Sequence, residues 1–153
     1  MPVIDLYVLG HPAPQGSKRH VGRGIMVEAS KKVTPWREAV VTECQREGIA
    51  GRMLDGALDI FLAFYFPRPA SHYDSKGEVK FSAPLFPIRR SAGDIDKLIR
   101  STLDALVQAS TIADDSLVAN IQARKRYATI ARPRGAHIRI IPIGETTHAS
   151  DTA

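Results

Sequence analysis

Residues 57–66 read Ala-Leu-Asp-Ile-Phe-Leu-Ala-Phe-Tyr-Phe, and this run limits the folds open to the chain more than any other. In an extended strand Leu58, Ile60, Leu62, Phe64 and Phe66 share one face, while Phe61, Ala63 and Tyr65 make the other nearly as apolar. A strand apolar on both sides is a central one, or is covered on both faces. Partner strands are expected over residues 3–9, where Ile4, Leu6 and Val8 alternate, over 116–127, and over 136–143, which is expected to close the sheet. In 116–127, Leu117, Ala119, Ile121 and Ala123 share one face, and Val118, Asn120, Gln122, Arg124 and Arg126 the other.

Two helices are expected beside these strands. Thr34 is a fitting N-cap with Pro35 at the first helical position, Trp36, Val40 and Cys44 make an apolar stripe, and Gly48 ends the helix. Ahead of it, residues 21–33 are expected to form a short hairpin or an irregular excursion around Gly22-Arg23-Gly24. The second helix follows Gly93, with Ile95, Leu98/Ile99, Thr102/Leu103 and Leu106 recurring every three to four residues. With 153 residues, 44% of them hydrophobic, the chain is expected to make one domain with a real core. The fold expected is α/β of the α+β type: a mixed, largely antiparallel sheet of four or five strands with two main helices. Residues 1–143 form the domain, and 144–153 a flexible C-terminal tail.

Composition removes several function classes. The single cysteine, Cys44, excludes an intrachain disulfide and a Cys-rich zinc site, and is expected to be a small buried apolar residue. No stretch approaches the ~20 apolar residues of a membrane span. The N-terminus lacks a basic region followed by an apolar run, so a cytoplasmic protein is expected. A net charge of +5 favours a polyanionic partner, though weakly.

The chemistry is concentrated between Gly93 and Asp115. Asp94 and Asp96 stand directly ahead of a helix, Lys97 and Arg100 follow on its first turns, and Asp114-Asp115 precedes the next strand. If Asp94–Asp96 is extended, both carboxylates leave one face and Ile95 points into the core. The plainer reading is that the acids only cap the helix and suit its dipole. Cations gather around this stretch. Lys18 and Arg19 sit in a Pro/Gly-broken loop, as a phosphate clamp or as a solvated loop. Arg89 and Arg90 close the long irregular stretch 67–93, either an arm that closes over DNA or a solvated insertion. Arg124, Lys125 and Arg126 lie near the end of the 116–127 strand. His11 and His20 have no partner histidine at ligand spacing.

The run D-I-D-K-L-I-R-x-x-L-D-A-L, followed by D-D-S-L-V and Arg124-Lys125, resembles the RusA family of Holliday junction resolvases over roughly residues 90–127. The resemblance implies a RusA-like fold and a crossover junction endodeoxyribonuclease. It implies Asp94, Asp96 and Asp115 as metal-binding acids, and Lys125 at the family's strand lysine. Arg100 stands where the family often has a functionally important lysine, and Lys97 where many members have asparagine. Branched DNA, a four-way junction, is the implied substrate and a homodimer the implied assembly. Carboxylates without His or Cys partners suit Mg²⁺, with Mn²⁺ as a possible substitute. A less selective branched-DNA nuclease, or a non-catalytic DNA-binding protein, remains the alternative.

Chain reach leaves one point open. A helix from Lys97 to Gln108 covers roughly 18 Å. The seven residues to Asp115 could just return that distance. Asp115 therefore either rejoins its own Asp94 or completes a site in a second subunit.

Overall fold

A computed structural model describes residues 3–16 and 23–144, with side chains omitted over 23–30. It places four strands and two long helices in the order β1 (Ile4–Leu9), α1 (Arg23–Arg46), β2 (Leu58–Phe66), α2 (Ile95–Gln108), β3 (Val118–Tyr127) and β4 (Gly135–Pro142). The sheet order is β1-β4-β2-β3. β4 runs antiparallel to both β1 and β2, and β2 runs parallel to β3. This is the single-domain α+β arrangement expected, with a mixed, largely antiparallel sheet. Lys18, Arg19 and His20 lie outside the described residues, as does the tail from 145 onward.

β2 is internal, as its two apolar faces require. The last strand does not close the sheet at an edge. It inserts between β1 and β2, because Ala136, Ile138 and Ile140 are buried at the centre of the core. The edges are β1 and β3.

One face of the sheet carries the core. Ile4, Leu6 and Val8 of β1, Leu58, Ile60, Leu62, Phe64 and Phe66 of β2 and Ile138 and Ile140 of β4 pack with Trp36, Val40 and Cys44 of α1 and Leu98 and Leu106 of α2. Trp36 is 1% exposed, and its indole N–H donates to Thr102 Oγ1 at 3.1 Å, so it belongs to the core. Cys44 is buried, and burial pushes its thiol pKa up. On the opposite face Tyr7 stacks on Tyr65 and His137, and Phe61 meets His137.

The start of α1 corrects the sequence reading. The helix begins at Arg23 and runs through Pro35, so 23–33 form neither a hairpin nor an irregular excursion, and Thr34 is not a cap. Buried Val33 extends the Trp36, Val40, Cys44 stripe one turn upstream, and this packing outweighs the backbone bond lost at proline. The helix ends as expected before Gly48, whose φ of +72° lets Ile49 N–H return to the Cys44 carbonyl at 2.9 Å.

β3 also departs from simple alternation. Its register with β2 shifts between Leu58 and Asp59, so Leu58 faces Val118 but Asp59 faces Asn120. The irregularity at Ala119 turns Val118 onto the core side with Ile121 and Ala123.

Candidate active site

α2 lies between the two parallel strands in sequence and runs back against their direction. Its N-terminus therefore stands at the C-terminal end of β2 and β3, the end at which open α/β sheets bind ligands. One contact fixes this placement: Lys125 Nζ, near the end of β3, donates to the Gly93 carbonyl at 2.9 Å. Gly93 has a φ of +87°, and a Cβ there would lie 2.6 Å from Pro14 Cγ. Only glycine lets residues 11–16 cross so close to the start of α2. The crossing is secured by the Gln15 N–H on the Lys97 carbonyl at 3.0 Å and by Ser101 Oγ donating to the Ala13 carbonyl at 2.7 Å.

Asp94 is the residue before the helix, with extended backbone, yet its side chain makes no capping hydrogen bond. Its carboxylate instead pairs with Lys97 Nζ at 3.4 Å, and both groups are open to solvent. Asp96 lies inside the first helical turn and is exposed. Asp94 thus holds the N-cap position without a side-chain capping bond, and Asp96 stands in the first turn, where its charge suits the helix dipole. The extended-strand geometry is not found: the helix begins at Ile95, which is 38% exposed and does not enter the core. Asp96 and Arg100 sit one turn apart on one helix face, and Arg100 is exposed.

A groove of about 370 Å³ adjoins Asp94, lined by Gln15, Lys32, Arg90, Gly93 and Lys97 among others. Lys32 was not singled out for the site from the sequence, and Gln15 was missed. Both lie far from Asp94 along the chain: the crossing over Gly93 brings in Gln15, and the packing of α1 against α2 brings in Lys32. The cations of β3 do not form one patch. Lys125 points to Gly93, while Arg124 lies over the Phe61 ring and Arg126 over Phe86. Arg89 and Arg90 are exposed on either side of the turn leading to Asp94.

The second acidic pair lies elsewhere. Asp114 Oδ2 accepts hydrogen bonds from the hydroxyl and backbone N–H of Ser116, and these hold its carboxyl below the usual range. Asp115 is exposed in the single 3₁₀ turn Asp115–Leu117, at the start of β3. Because Lys125 marks the far end of that strand, the 14 residues of α2 separate Asp115 from Asp94 by about 20 Å. The segment after α2 does not fold back along the helix. It pairs instead with residues 51–54, with the Leu54 N–H on the Thr111 carbonyl at 3.0 Å. Among the described residues no three His, Cys, Asp or Glu side chains gather closely enough to hold a metal ion.

The long connection 67–93 is irregular but tied down at its base. Arg68 donates to the Pro84 carbonyl at 2.8 Å and lies over the Tyr127 ring, and Lys80 N–H bonds the His72 carbonyl at 2.8 Å. Its outer part exposes Phe81, Leu85 and Ile88.

An α+β domain with acids, cations and a groove at the C-terminal end of parallel strands defines a candidate phosphate-handling enzyme. The family model of endodeoxyribonuclease RusA matches residues 10–140, and the chain belongs to that family of DNA-cleaving enzymes. No curated protein matches the chain. Among the described residues no helix is long and apolar enough to cross a membrane.

Proposed function

We propose that this protein is a divalent-cation-dependent endodeoxyribonuclease that resolves four-way DNA junctions as a homodimer, with Asp94 and Asp96 of one protomer and the partner's Asp115 in each site. The observation that carries the reading is that Asp94 and Asp96 stand exposed at the start of α2, Asp94 without a side-chain capping bond, near Lys97, Arg90 and Lys125. Exposed acids beside cations, with Asp94 paired only to the neighbouring Lys97, suit a catalytic role in a family of endodeoxyribonucleases.

The donor set fits a hard cation, since the acids offer only oxygen and among the described residues no His or Cys side chain gathers with them. Such a cation, Mg²⁺ or Mn²⁺, supplies charge neutralisation on the phosphate and a more acidic water. Asp94, Asp96 and Asp115 would hold it. Lys97, restrained by Asp94, orients the scissile phosphate, and Arg100 stabilises charge that develops on it. Lys125 holds the Gly93 turn in place, and Arg89, Arg90, Arg124 and Arg126, with Lys18 and Arg19, contact the DNA backbone.

The edge strand supports the dimer. Antiparallel pairing of two β3 edges about a two-fold axis sets the start of one strand beside the end of the other. The partner's Asp115 then comes to Gly93–Asp96. Two sites related by a two-fold also suit paired cuts in a four-way junction.

The test is cleavage of a synthetic four-way junction against linear duplex, with Mg²⁺ or EDTA, for wild type and Asp96→Asn. Paired Mg²⁺-dependent nicks that vanish in the variant are expected. Equal cutting of duplex would remove junction selectivity, and tight binding with no cutting under Mg²⁺ or Mn²⁺ would remove the enzyme.

A further inference from the structure

The two long helices cover one face of the sheet and leave the other open. Strand register shows what the open face carries. Its two central strands present Phe61 and Tyr65 from β2 and His137 and Arg139 from β4, around Ala63. Tyr7 of β1 stands opposite His137, and Arg124 and Arg126 of β3 stand opposite Ala63 and Tyr65. The four rings are half-buried. Tyr7 and Tyr65 stack at 6.1 Å across the strand between them, and Phe61 and His137 lie 5.7 Å apart. That crossing is open because the β4 residue opposite Tyr65 is Gly135, where a Cβ would strike the Val8 carbonyl oxygen at 1.9 Å.

We infer that this open face is a second nucleic-acid surface, which holds an unpaired DNA strand by stacking its bases on Tyr7, Phe61, Tyr65 and His137 and seating its phosphates on Arg124 and Arg126. The inference extends the DNA contact proposed above for these two arginines and rests on it. An open four-stranded sheet with aromatic side chains can stack about two or three bases, since every base has a π-face. Paired bases keep those faces inside the duplex, so a flat aromatic surface selects the unpaired strand.

Charge selects the occupant. The acids of this face are already engaged: Asp5 pairs with His137 and, at 3.5 Å, with Arg139, and Asp59 accepts from Asn120 Nδ2 at 3.0 Å. Arg124 and Arg126 each lie 4.9 Å over a ring, Phe61 and Phe86, and among the described residues neither pairs with a carboxylate. A guanidinium stacked on a ring keeps its edge donors for phosphate. A second copy of the chain would bring a face of the same charge against this one, which disfavours self-association here. The surface is also apart from the acids. Lys125 turns to Gly93 on the helix side, while its neighbours Arg124 and Arg126 turn to the open face.

The experiment measures fluorescence anisotropy of a labelled oligothymidine about twelve nucleotides long, within the span of one such surface, against a duplex of equal length. EDTA is present, so the acids hold no metal and repel phosphate. Wild type is expected to prefer the single strand. Phe61→Ala and Tyr65→Ala should each weaken strand binding at least about fivefold, the low end of one lost base stack, and Tyr65→Phe, which keeps the ring, should bind as wild type does. Arg124→Gln should reduce the slope of log Kd against log salt by about 0.7, one phosphate contact on a single strand. Photo-cross-linking of wild type to a strand carrying 5-iodouracil needs no variant, and should attach it to Tyr7, Phe61 or Tyr65. Cross-links confined to the start of α2 and residues 67–93, alanine variants that bind as wild type, or alanine variants that turn a dimer into a monomer in sedimentation overturn the inference. A wild type that cuts junctions but does not prefer the strand overturns this surface alone. One that binds the strand through these rings but cuts no junction keeps the surface and removes the nuclease.

Discussion

Lys125 Nζ donates to the carbonyl of Gly93 at 2.9 Å, tying the end of β3 to the residue before Asp94. This contact sets the direction of β3 relative to α2, and so places Asp115 at the remote end of the helix. Replacing Lys125 with methionine should cost about 1 kcal/mol, the scale of one hydrogen bond, read from the denaturant midpoint. Cleavage should fall further than that loss of stability accounts for, because the turn carrying Asp94 loses its anchor. A variant with unchanged cleavage would remove Lys125 from the positioning of the site.

Asp94→Asn and Asp96→Asn should each lower cleavage by at least about a hundredfold, the scale of losing one group that stabilises transition-state charge. Junction binding should hold or tighten, because negative charge leaves the neighbourhood of phosphate. Gel-shift and single-turnover cleavage on the same junction measure both quantities.

The separation of Asp115 from Asp94 gives a complementation test. Asp96→Asn and Asp115→Asn proteins, each inactive alone, should regain nicking when their subunits are exchanged. In the mixed dimer one site inherits both changes and the other inherits neither, so up to about a quarter of the wild-type sites return. The product should be single nicks, not paired ones. Silence after verified subunit exchange would mean that each protomer builds its own site.

Thr102 accepts the Trp36 indole N–H and donates to the Leu98 carbonyl at 2.8 Å, both in the buried core. Thr102→Val should destabilise by about 1–3 kcal/mol, since the indole N–H is left buried without a partner. Thr102→Ser keeps the hydroxyl and should cost less. Chemical denaturation with tryptophan fluorescence separates the two.

His72 is buried, and burial lowers its pKa, helped by Arg68, Arg89 and Lys80. In the unfolded chain it titrates near 6.5. As pH falls below that value the unfolded state takes up a proton that the folded state resists. Stability is therefore full above pH 6.5 and is lost as pH falls toward and through the lowered folded value. Denaturant midpoints between pH 7.5 and 5 should decline in wild type and decline less in His72→Phe.

The elements that were legible in the sequence are those whose partners are local or whose pattern is unambiguous. β2, read as central or covered on both faces because both are apolar, is internal, and α2 followed from its stripe and from Gly93 ahead of it. The start of α1 was not legible, because Pro35 and Gly24 read locally as breaks while the burial of Val33 shows only in the folded chain. The exposure of Ile95 and the turning of Val118 were hidden for a related reason. A helix start one residue early, or one shifted register, reverses which side a residue faces.

By itself the sequence determined the chemistry available: carboxylates at the start of a helix, cations beside them and an apolar central strand. Only the tertiary structure decided which of these groups meet. Spacing limits how far Asp115 can reach, and that reach allowed both a return to Asp94 and a departure from it. Parallel pairing of β2 with β3, together with the Lys125–Gly93 contact, chose the departure. Strand direction depends on contacts between residues far apart in the chain, and no local pattern carries it.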